Sequence, residues 1–195
     1  MGYYRAGFTD ITGIDIKPMP RYPFRFIQAD ALEYLAEHGA EYDVIHASPP
    51  CQGYSRLRHL PWLKDRKYPM LIGDTRKLLQ KTGKLWVIEN VSDAPLNGAE
   101  LCGAALGLKI RRHRRFESNI LLLFPPCPGH PVIEHGNIAM ATKYRGRGIT
   151  GIYKGDNPEE VMEINWMNRE ELKQAIPPAY TFFIGKQFMQ YLVSL

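Results

Sequence analysis

The chain has 195 residues, of which 45% are hydrophobic and 23% are charged, and this balance excludes an intrinsically disordered or membrane-spanning chain. A chain of this length can form one domain with a real core and a small appendage. The formal net charge of +5 permits a polyanionic partner without proving one. Three cysteines are an odd and sparse set, so we expect no disulfide framework and a reducing, cytoplasmic environment.

Short apolar runs alternate with helix-like segments over the first 118 residues. Strands are predicted at residues 11–16, 24–28, 42–47 and 85–91, and helices at 31–38 and 70–82. This alternation predicts an α/β fold with a Rossmann-like, doubly wound and mostly parallel sheet. We therefore assign residues 1–118 to a core.

The pattern changes after residue 118. Residues 119–165 contain a proline-rich loop and then a stretch rich in glycine, lysine and arginine, which indicates a small second region. Asn168 and Glu171 have the spacing of a capping box, so a helix is predicted to begin there. Residues 166–195 are predicted to return to the core as helices, the last of them at 182–192.

Acidic and reactive side chains follow the predicted strands, where ligands bind in open α/β sheets. Asp15 ends the first strand and Asp30 the second, while Cys51 follows the third and Glu89 closes the fourth. The carboxylate of Asp15 is suited to two ribose hydroxyls of a nucleoside-like cofactor. The alternative for both aspartates is a turn or a helix N-cap, and Asp30 directly precedes the helix predicted at 31–38.

Cys51 lies in the segment ASPPCQGYS. Pro49 and Pro50 fix the backbone before it, and Gly53 permits close approach from the other side. A thiol held in this way near a basic loop is favoured as a thiolate. The alternative is an inert, buried cysteine, and the unusual flanking residues favour the reactive interpretation.

PPCQ at 49–52, combined with ENV at 89–91, resembles the two chemical signatures of the DNA cytosine-5 methyltransferase family, and of its compact phage-type members in particular. RHR at 112–114 resembles the Arg-x-Arg motif of that family. GID at 13–15 and QAD at 28–30 resemble its second and third cofactor motifs. The resemblance covers nearly the whole chain and implies a class I methyltransferase fold, acting in the cytoplasm of a bacterium or of a phage-infected host.

The resemblance implies methyl transfer from S-adenosylmethionine to carbon 5 of a cytosine that is flipped out of double-stranded DNA. Cys51 would add to carbon 6 of the ring, while Glu89 would protonate ring nitrogen 3 and contact the exocyclic amino group. Asn90 would brace the site by hydrogen bonds. Arg112 and Arg114 would steady Glu89 and either the carbonyl oxygen of the ring or a phosphate. If these residues have no catalytic role, Glu89 forms a structural salt bridge and RRHRR at 111–115 forms a solvated basic surface.

The same resemblance implies which residues hold the cofactor and the DNA. Those at the cofactor are Asp15, Ile16, Asp30, Ala31 and Pro49, and those at the DNA are Gln52, Gly53, Ser55, Arg56 and Arg58. The second group opens a basic loop that closes over DNA in the family, although a solvated surface loop is the alternative. Residues 119–165 fall where the family keeps its target-recognition segment.

Cys127, His130 and His135 are candidate metal ligands. Their spacing is irregular and the sequence offers no evident fourth ligand, so no metal site is predicted. S-adenosylmethionine is the cofactor that we expect.

The family opens with a strand and a Gly-rich loop of the form Phe-x-Gly-x-Gly, which cradles the methionine part of S-adenosylmethionine. The present sequence begins with MGYYRAGF, which resembles the end of the helix after that loop. The strand would lie at the centre of the sheet, where its loss leaves unpaired backbone groups.

Three interpretations follow from this difference. The chain is an N-terminally truncated form of an active enzyme, an enzyme completed by a second chain that supplies the strand, or a non-catalytic DNA-binding relative that cannot hold the cofactor. RNA is an alternative substrate, since the family has RNA-modifying relatives.

Overall fold

The computed structural model describes residues 1–63, 65–130, 152 and 156–194. The helices are Gly2–Ala6 (α1), Ala31–His38 (α2), Ile72–Thr82 (α3), Pro158–Met162 (α4), Arg169–Gln174 (α5) and Pro178–Val193 (α6). The strands are Thr12–Asp15 (β1), Arg25–Gln28 (β2), Val44–Ala47 (β3), Leu85–Asn90 (β4), Ala99–Cys102 (β5) and His113–Ser118 (β6). Short 3₁₀ helices lie at Gly39–Glu41, Arg56–His59 and Gly103–Leu106.

The predicted helices and strands are present, and their ends shift by at most two residues except at the start of α6. α2 has the predicted bounds because Asp30 caps its first turn, and Gly83 ends α3 with a left-handed φ of 68°. Asn168 and Glu171 form the predicted capping box of α5. α6 begins earlier than predicted, at Pro178, because proline is well suited to the first turn of a helix. Strands β1 to β4 are each slightly shorter than the apolar runs that predict them.

Contacts divide the chain into two units. The Cys51 unit comprises residues 12–100 and 114–124, and the Cys127 unit comprises residues 1–11, 101–113 and 125–195. The boundaries expected at residues 118 and 165 stay a prediction, because most of the proposed target-recognition region, residues 131–151 and 153–155, lies outside the described residues.

Two separate β-sheets lie mostly within the Cys51 unit. β1 and β2 form a parallel pair, with Asp15 opposite Gln28. The strand order of the other sheet is β3-β4-β6-β5, in which β3 is parallel to β4 and β6 is antiparallel to β4. The α/β class is therefore confirmed, whereas a Rossmann-like doubly wound sheet is not.

The division into two sheets has a simple cause in the strand pairing. β1 belongs to a two-stranded sheet and β3 is the edge strand of the four-stranded sheet. A single continuous sheet requires a strand that pairs with both, and no strand among the described residues does so. The central strand expected from the family resemblance stays a prediction.

β4 is the buried centre of the Cys51 unit, because five of its six residues are buried. Its core cluster consists of Ile72, Leu79, Trp86, Ile88, Ala94 and Leu96. Burying each large apolar side chain contributes about 1.5–3 kcal/mol. This packing fixes the carboxyl end of β4, where Glu89 and Asn90 lie.

The Cys127 unit has its own apolar cluster. The cluster consists of Ile110, Ile152, Val161, Met162, Ile164 and Leu172. The hydroxyl of buried Tyr180, on α6, donates to the carbonyl oxygen of Arg112, and α1 packs along α6. Within the parts of the chain that the structure describes, no helix combines the length and the apolar character needed to cross a bilayer.

Gly98 lies where the segment before β5 runs against the backbone of β6. A Cβ atom at this position would collide with the carbonyl oxygen of Phe116, which is part of the strand and cannot easily move. Gly98→Ala is expected to lower the free energy of unfolding by about 2–4 kcal/mol, measured by urea denaturation.

Gly73 provides the matched control for this substitution. It occupies the first turn of α3, and no neighbouring atom lies within 4 Å of the position of an added Cβ. Gly73→Ala is expected to leave stability unchanged or to raise it by up to about 1 kcal/mol. Equal losses in both variants would contradict the close approach at Gly98.

Candidate active site

Cys51 lies in a tight turn that follows β3. Its carbonyl oxygen accepts hydrogen bonds from the backbone N–H groups of Tyr54 (3.0 Å) and Ser55 (2.9 Å). The Tyr54 hydroxyl accepts from the N–H of Ile72 at 3.2 Å, which ties the turn to the start of α3. Cys51 is half-buried and is not in a disulfide. Its thiol therefore lies on a braced backbone and remains accessible, as a reactive cysteine requires.

Asn90 connects the end of β4 to the turn that carries Cys51. Its side chain is 1% exposed, and its Nδ2 donates to the carbonyl oxygen of Pro49 at 2.9 Å. Its Oδ1 accepts from the N–H of Val91, also at 2.9 Å. Both the donor and the acceptor of this buried amide are thus hydrogen-bonded, and the bracing role of Asn90 in a reaction stays a prediction.

Glu89 forms a buried ion pair beside Asn90. It is 7% exposed, and its Oε1 lies 2.8 Å from Nε of Arg114, whose side chain is also largely buried. The antiparallel pairing of β4 with β6 brings the two residues to neighbouring strands. A buried carboxylate requires such a partner, and the pair fixes the carboxyl group at the end of β4.

Arg112 has different surroundings from Arg114. It is 3% exposed and lies in the Cys127 unit, where its Nη2 donates to the carbonyl oxygen of Lys173 at 2.9 Å. β6 begins at His113, so Arg112 precedes this strand and Arg114 lies within it. The contact between Arg114 and Glu89 agrees with the sequence expectation, and the role of Arg112 at the ring stays a prediction.

The residues expected at the cofactor lie at the carboxyl ends of β1, β2 and β3. Asp15 is half-buried, and its Oδ1 accepts from the N–H of Lys17 at 2.8 Å, so its carboxylate is oriented by a local turn. Ile16 is 65% exposed. Pro49 contributes its carbonyl oxygen to Asn90, as described above.

Asp30 is the N-cap of α2, which is the alternative role expected from its position before that helix. It is exposed, and its Oδ1 accepts from the N–H groups of Leu32 (2.8 Å) and Glu33 (3.2 Å), which caps α2. Ala31 is the first residue of that helix. The cap explains why an aspartate stands here without any cofactor, and the role of Asp30 at the cofactor stays a prediction.

The basic loop after Cys51 is held to the protein by two of its arginines. Arg56 is highly exposed and pairs with both carboxylate oxygens of Asp93, each at 2.8 Å. The hydrogen bond and the charge of Asp93 raise the pKa of Arg56. Arg58 donates through Nη1 to the carbonyl oxygen of Gly53 at 2.6 Å. The loop is therefore attached to the segments that follow Cys51 and Asn90.

A cavity of about 260 Å³ lies under this loop. It is lined by Gly53, Arg58, His59, Arg66, Tyr68 and Met70. Cys51 is absent from its lining, so this cavity is not a complete pocket for a base that reacts at the thiol. Its cationic groups suit a phosphate or another anionic group instead.

The remaining loop residues expected at DNA are Gln52 and Ser55, which are exposed and half-buried respectively. Trp62, in the same loop, is 63% exposed. Asp93 was not a sequence candidate. Its partner Arg56 lies 37 residues away, and only the pairing of β3 with β4 brings the segments that follow these strands together.

Comparison with known proteins gives a distant similarity to a methyltransferase and no matching protein family. No protein-family profile matches the chain. The chain is 30% identical over 89 residues to ribosomal RNA large subunit methyltransferase K/L of Pseudoalteromonas atlantica. The match spans 46% of this chain and 12% of that protein. This similarity supports a methyltransferase relationship in general, and hence a transferase.

Proposed function

We propose that the chain transfers a methyl group from S-adenosylmethionine to carbon 5 of cytosine in DNA, through a covalent bond to Cys51. The observation that carries the proposal is the hydrogen bond from Asn90 to Pro49, which joins the turn of Cys51 to the strand end of Glu89. A thiol after β3 and a buried, ion-paired carboxyl at the end of β4 thus belong to two adjacent parallel strands. Ligands bind at this edge of α/β sheets.

Cys51 acts as the nucleophile. Its thiolate forms a bond to carbon 6 of cytosine, and the electrons of the 5,6 double bond make carbon 5 nucleophilic. S-adenosylmethionine, when bound, would supply the methyl group that carbon 5 accepts, and its sulfur would keep the electrons of the broken S–CH3 bond as S-adenosylhomocysteine. A base or water then removes the proton on carbon 5, the sulfur of Cys51 leaves carbon 6, and the double bond is restored.

Glu89 holds and protonates the ring. Its carboxyl group takes up a proton from water as the base enters, passes it to ring nitrogen 3 as Cys51 adds, and takes it back when Cys51 leaves, which limits the negative charge that develops on the base. Arg114 fixes the orientation of that carboxyl, since its Nε lies 2.8 Å from Oε1. Asn90 is a positioning residue, because it contacts the backbone before Cys51 rather than the base.

Asp15 fits a ribose of the cofactor. Its carboxylate is half-buried at the end of β1 and is oriented by the N–H of Lys17, and a carboxylate at this position suits two hydroxyl groups. Ile16, which is exposed beside it, offers an apolar surface to the adenine. Ala31, at the start of α2, and Pro49, before the turn of Cys51, would complete the cofactor site.

The positive loop favours a nucleic acid as the substrate. Arg58, His59 and Arg66 line one cavity, and contacts between such groups and phosphates give salt-dependent affinity. The target base must leave the stack to expose its carbon 6 face. RNA is the second candidate, because the similar protein from Pseudoalteromonas is named as a ribosomal RNA methyltransferase.

A further strand between β1 and β3 belongs to this proposal. Both are edge strands of separate sheets in the Cys51 unit, so each offers backbone groups to a partner strand. A strand from a second chain, or from a longer form of this one, would join the two sheets and complete the cofactor site.

Covalent trapping tests the proposed function. The chain is mixed with S-adenosylmethionine and duplex DNA that contains 5-fluorocytosine, and intact mass is measured after denaturation. Fluorine on carbon 5 cannot be removed as a proton would be, so the covalent adduct should accumulate. We expect an adduct with DNA that requires S-adenosylmethionine, and a smaller yield or none with matched 5-fluorocytosine RNA.

The other outcomes of covalent trapping would point to a different substrate or to a non-catalytic role. An adduct with RNA alone would replace DNA by RNA as the substrate. If DNA binds without an adduct, a polypeptide that carries the Gly-rich strand is added in trans. A continued lack of adduct would favour a non-catalytic binding protein over the proposed enzyme.

A further inference from the structure

Four side chains with metal-binding atoms converge within the Cys127 unit. They are Cys102, His113, Cys127 and His130. Their ligand atoms all lie within 4.8 Å of one another, and Nε2 of His130 lies 3.3 Å from both sulfur atoms. Two of the four, Cys102 and His113, were not candidates from sequence, while His135 lies outside the described residues.

Three separate stretches of chain build this cluster. Cys102 is the last residue of β5 and His113 is the first residue of β6, so two strand ends contribute one ligand each. Cys127 and His130 come from a single short turn. Gly129 within that turn has a φ of 87°, a left-handed conformation that brings His130 back toward Cys127.

The ligands are also oriented by their neighbours. The backbone N–H groups of Ala104 and Arg112 hydrogen-bond the sulfur of buried Cys102 and so fix its position. The rings of His113 and His130 meet edge to face, with centroids 5.2 Å apart and an interplanar angle of 86°. This contact restrains both imidazoles.

We propose that Cys102, His113, Cys127 and His130 bind one zinc ion in a structural site. Two thiolates and two imidazoles are a common tetrahedral ligand set for zinc. In such a site the ligand atoms lie about 3.3–3.8 Å from one another, and the 3.3 Å distances from His130 to both sulfurs are already close to this range. Small side-chain adjustments therefore suffice for coordination.

The number of ligands indicates a structural rather than a catalytic ion. Four protein ligands complete a tetrahedral shell and leave no position for a water or a substrate. The ion would join the turn of Cys127 and His130 to the ends of β5 and β6. This inference is independent of the proposed methyl transfer, because none of the four ligands has a role in that reaction.

Zinc content and cobalt spectroscopy test the site. The full chain is produced with added zinc, dialysed, and analysed for metal by mass spectrometry. We expect about one zinc ion per chain, and at least a tenfold lower content in Cys127→Ser. Cys51→Ser is the matched control, since it removes the third cysteine of the chain and should retain the zinc.

Cobalt spectroscopy uses the unmodified chain, so it tests the site even if the variants fold poorly. Cobalt(II) bound to the unmodified chain should give the visible bands of a tetrahedral ion and a thiolate charge-transfer band. The proposal would be overturned by an unmodified chain that retains no zinc, by equal zinc content in Cys127→Ser, or by an octahedral cobalt spectrum. A native Cys102–Cys127 disulfide, detected by intact mass, would also overturn it.

Discussion

Replacing Cys51 with serine is expected to abolish the covalent adduct and to lower methyl transfer by at least about 10³-fold. A serine hydroxyl is a much weaker nucleophile than a thiolate, and it is not ionised near neutral pH. Transfer is measured with labelled S-adenosylmethionine on unmodified DNA. Intact mass on 5-fluorocytosine DNA reports the adduct separately.

The fold should tolerate this substitution. Cys51 holds its turn through its backbone carbonyl, which accepts from Tyr54 and Ser55, and a serine retains that carbonyl. The thermal midpoint is therefore expected to stay within a few degrees of that of the unmodified chain. Full transfer by Cys51→Ser would remove the covalent mechanism, whatever the activity of the unmodified chain.

The helices were predictable because their end signals are local. Asp30 caps α2 through two backbone N–H groups within three residues, and Asn168 with Glu171 caps α5 in the same way. Such signals are contained in four consecutive residues. β5 was missed because it is short and half exposed, so it has no apolar run to mark it. α4 is a five-residue helix with little periodicity to detect.

The sheet was less predictable because pairing is not local. Alternating strands and helices indicated parallel pairs, and β1 with β2 and β3 with β4 are parallel. The antiparallel pairing of β6 with β4 depends on the path of the chain after residue 90, which periodicity does not report. The break between β1 and β3 depends on which strands are present to pair.

The same difference between local and non-local signals decides which residues of the candidate site could be predicted. Cys51, Glu89 and Asn90 are candidates because each lies at or after the end of a predicted strand, and the hydrogen bond from Asn90 to Pro49 joins two such strand ends. Arg112 and Arg114 could not be distinguished without knowing where β6 begins. The four-ligand cluster was missed because two of its ligands lie at the ends of β5 and β6.

Substitutions at Glu89 and Glu117 separate an effect on methyl transfer from an effect on the free energy of unfolding. Both are buried glutamates that pair with an arginine inside the Cys51 unit, on the adjacent strands β4 and β6. Arg76 binds both oxygens of Glu117, at 2.6 and 2.8 Å, and the N–H of Asn97 adds a third hydrogen bond at 2.8 Å. Only Glu89 follows the strand end beside the turn of Cys51.

Glu89→Gln is expected to lower methyl transfer about 10²–10⁴-fold at an equal concentration of folded protein, because an amide cannot protonate ring nitrogen 3. Glu117→Gln should leave transfer per folded molecule within about threefold, since it does not contact the reacting base. The folded fraction of each variant is first measured by circular dichroism. Methyl transfer is then measured at a temperature at which both variants are folded.

Glu117→Gln should instead reduce stability, by about 2–4 kcal/mol at pH 7. Burial raises the pKa of Glu117, but the hydrogen bonds from Arg76 and Asn97 and the charge of Arg76 outweigh it, so the pKa lies below its usual value. A lowered pKa in the folded state stabilises the fold above the pKa of the unfolded chain, about 4.3. That contribution is lost as the pH falls through the folded pKa.

The difference in unfolding free energy between the unmodified chain and Glu117→Gln should therefore shrink between about pH 5 and the acid limit of folding. Urea denaturation at several pH values measures it. A constant difference across that range would mean that Glu117 acts through packing and not through its charge. If both glutamine variants lost transfer equally, Glu89 would be a structural partner of Arg114 rather than the acid in the reaction.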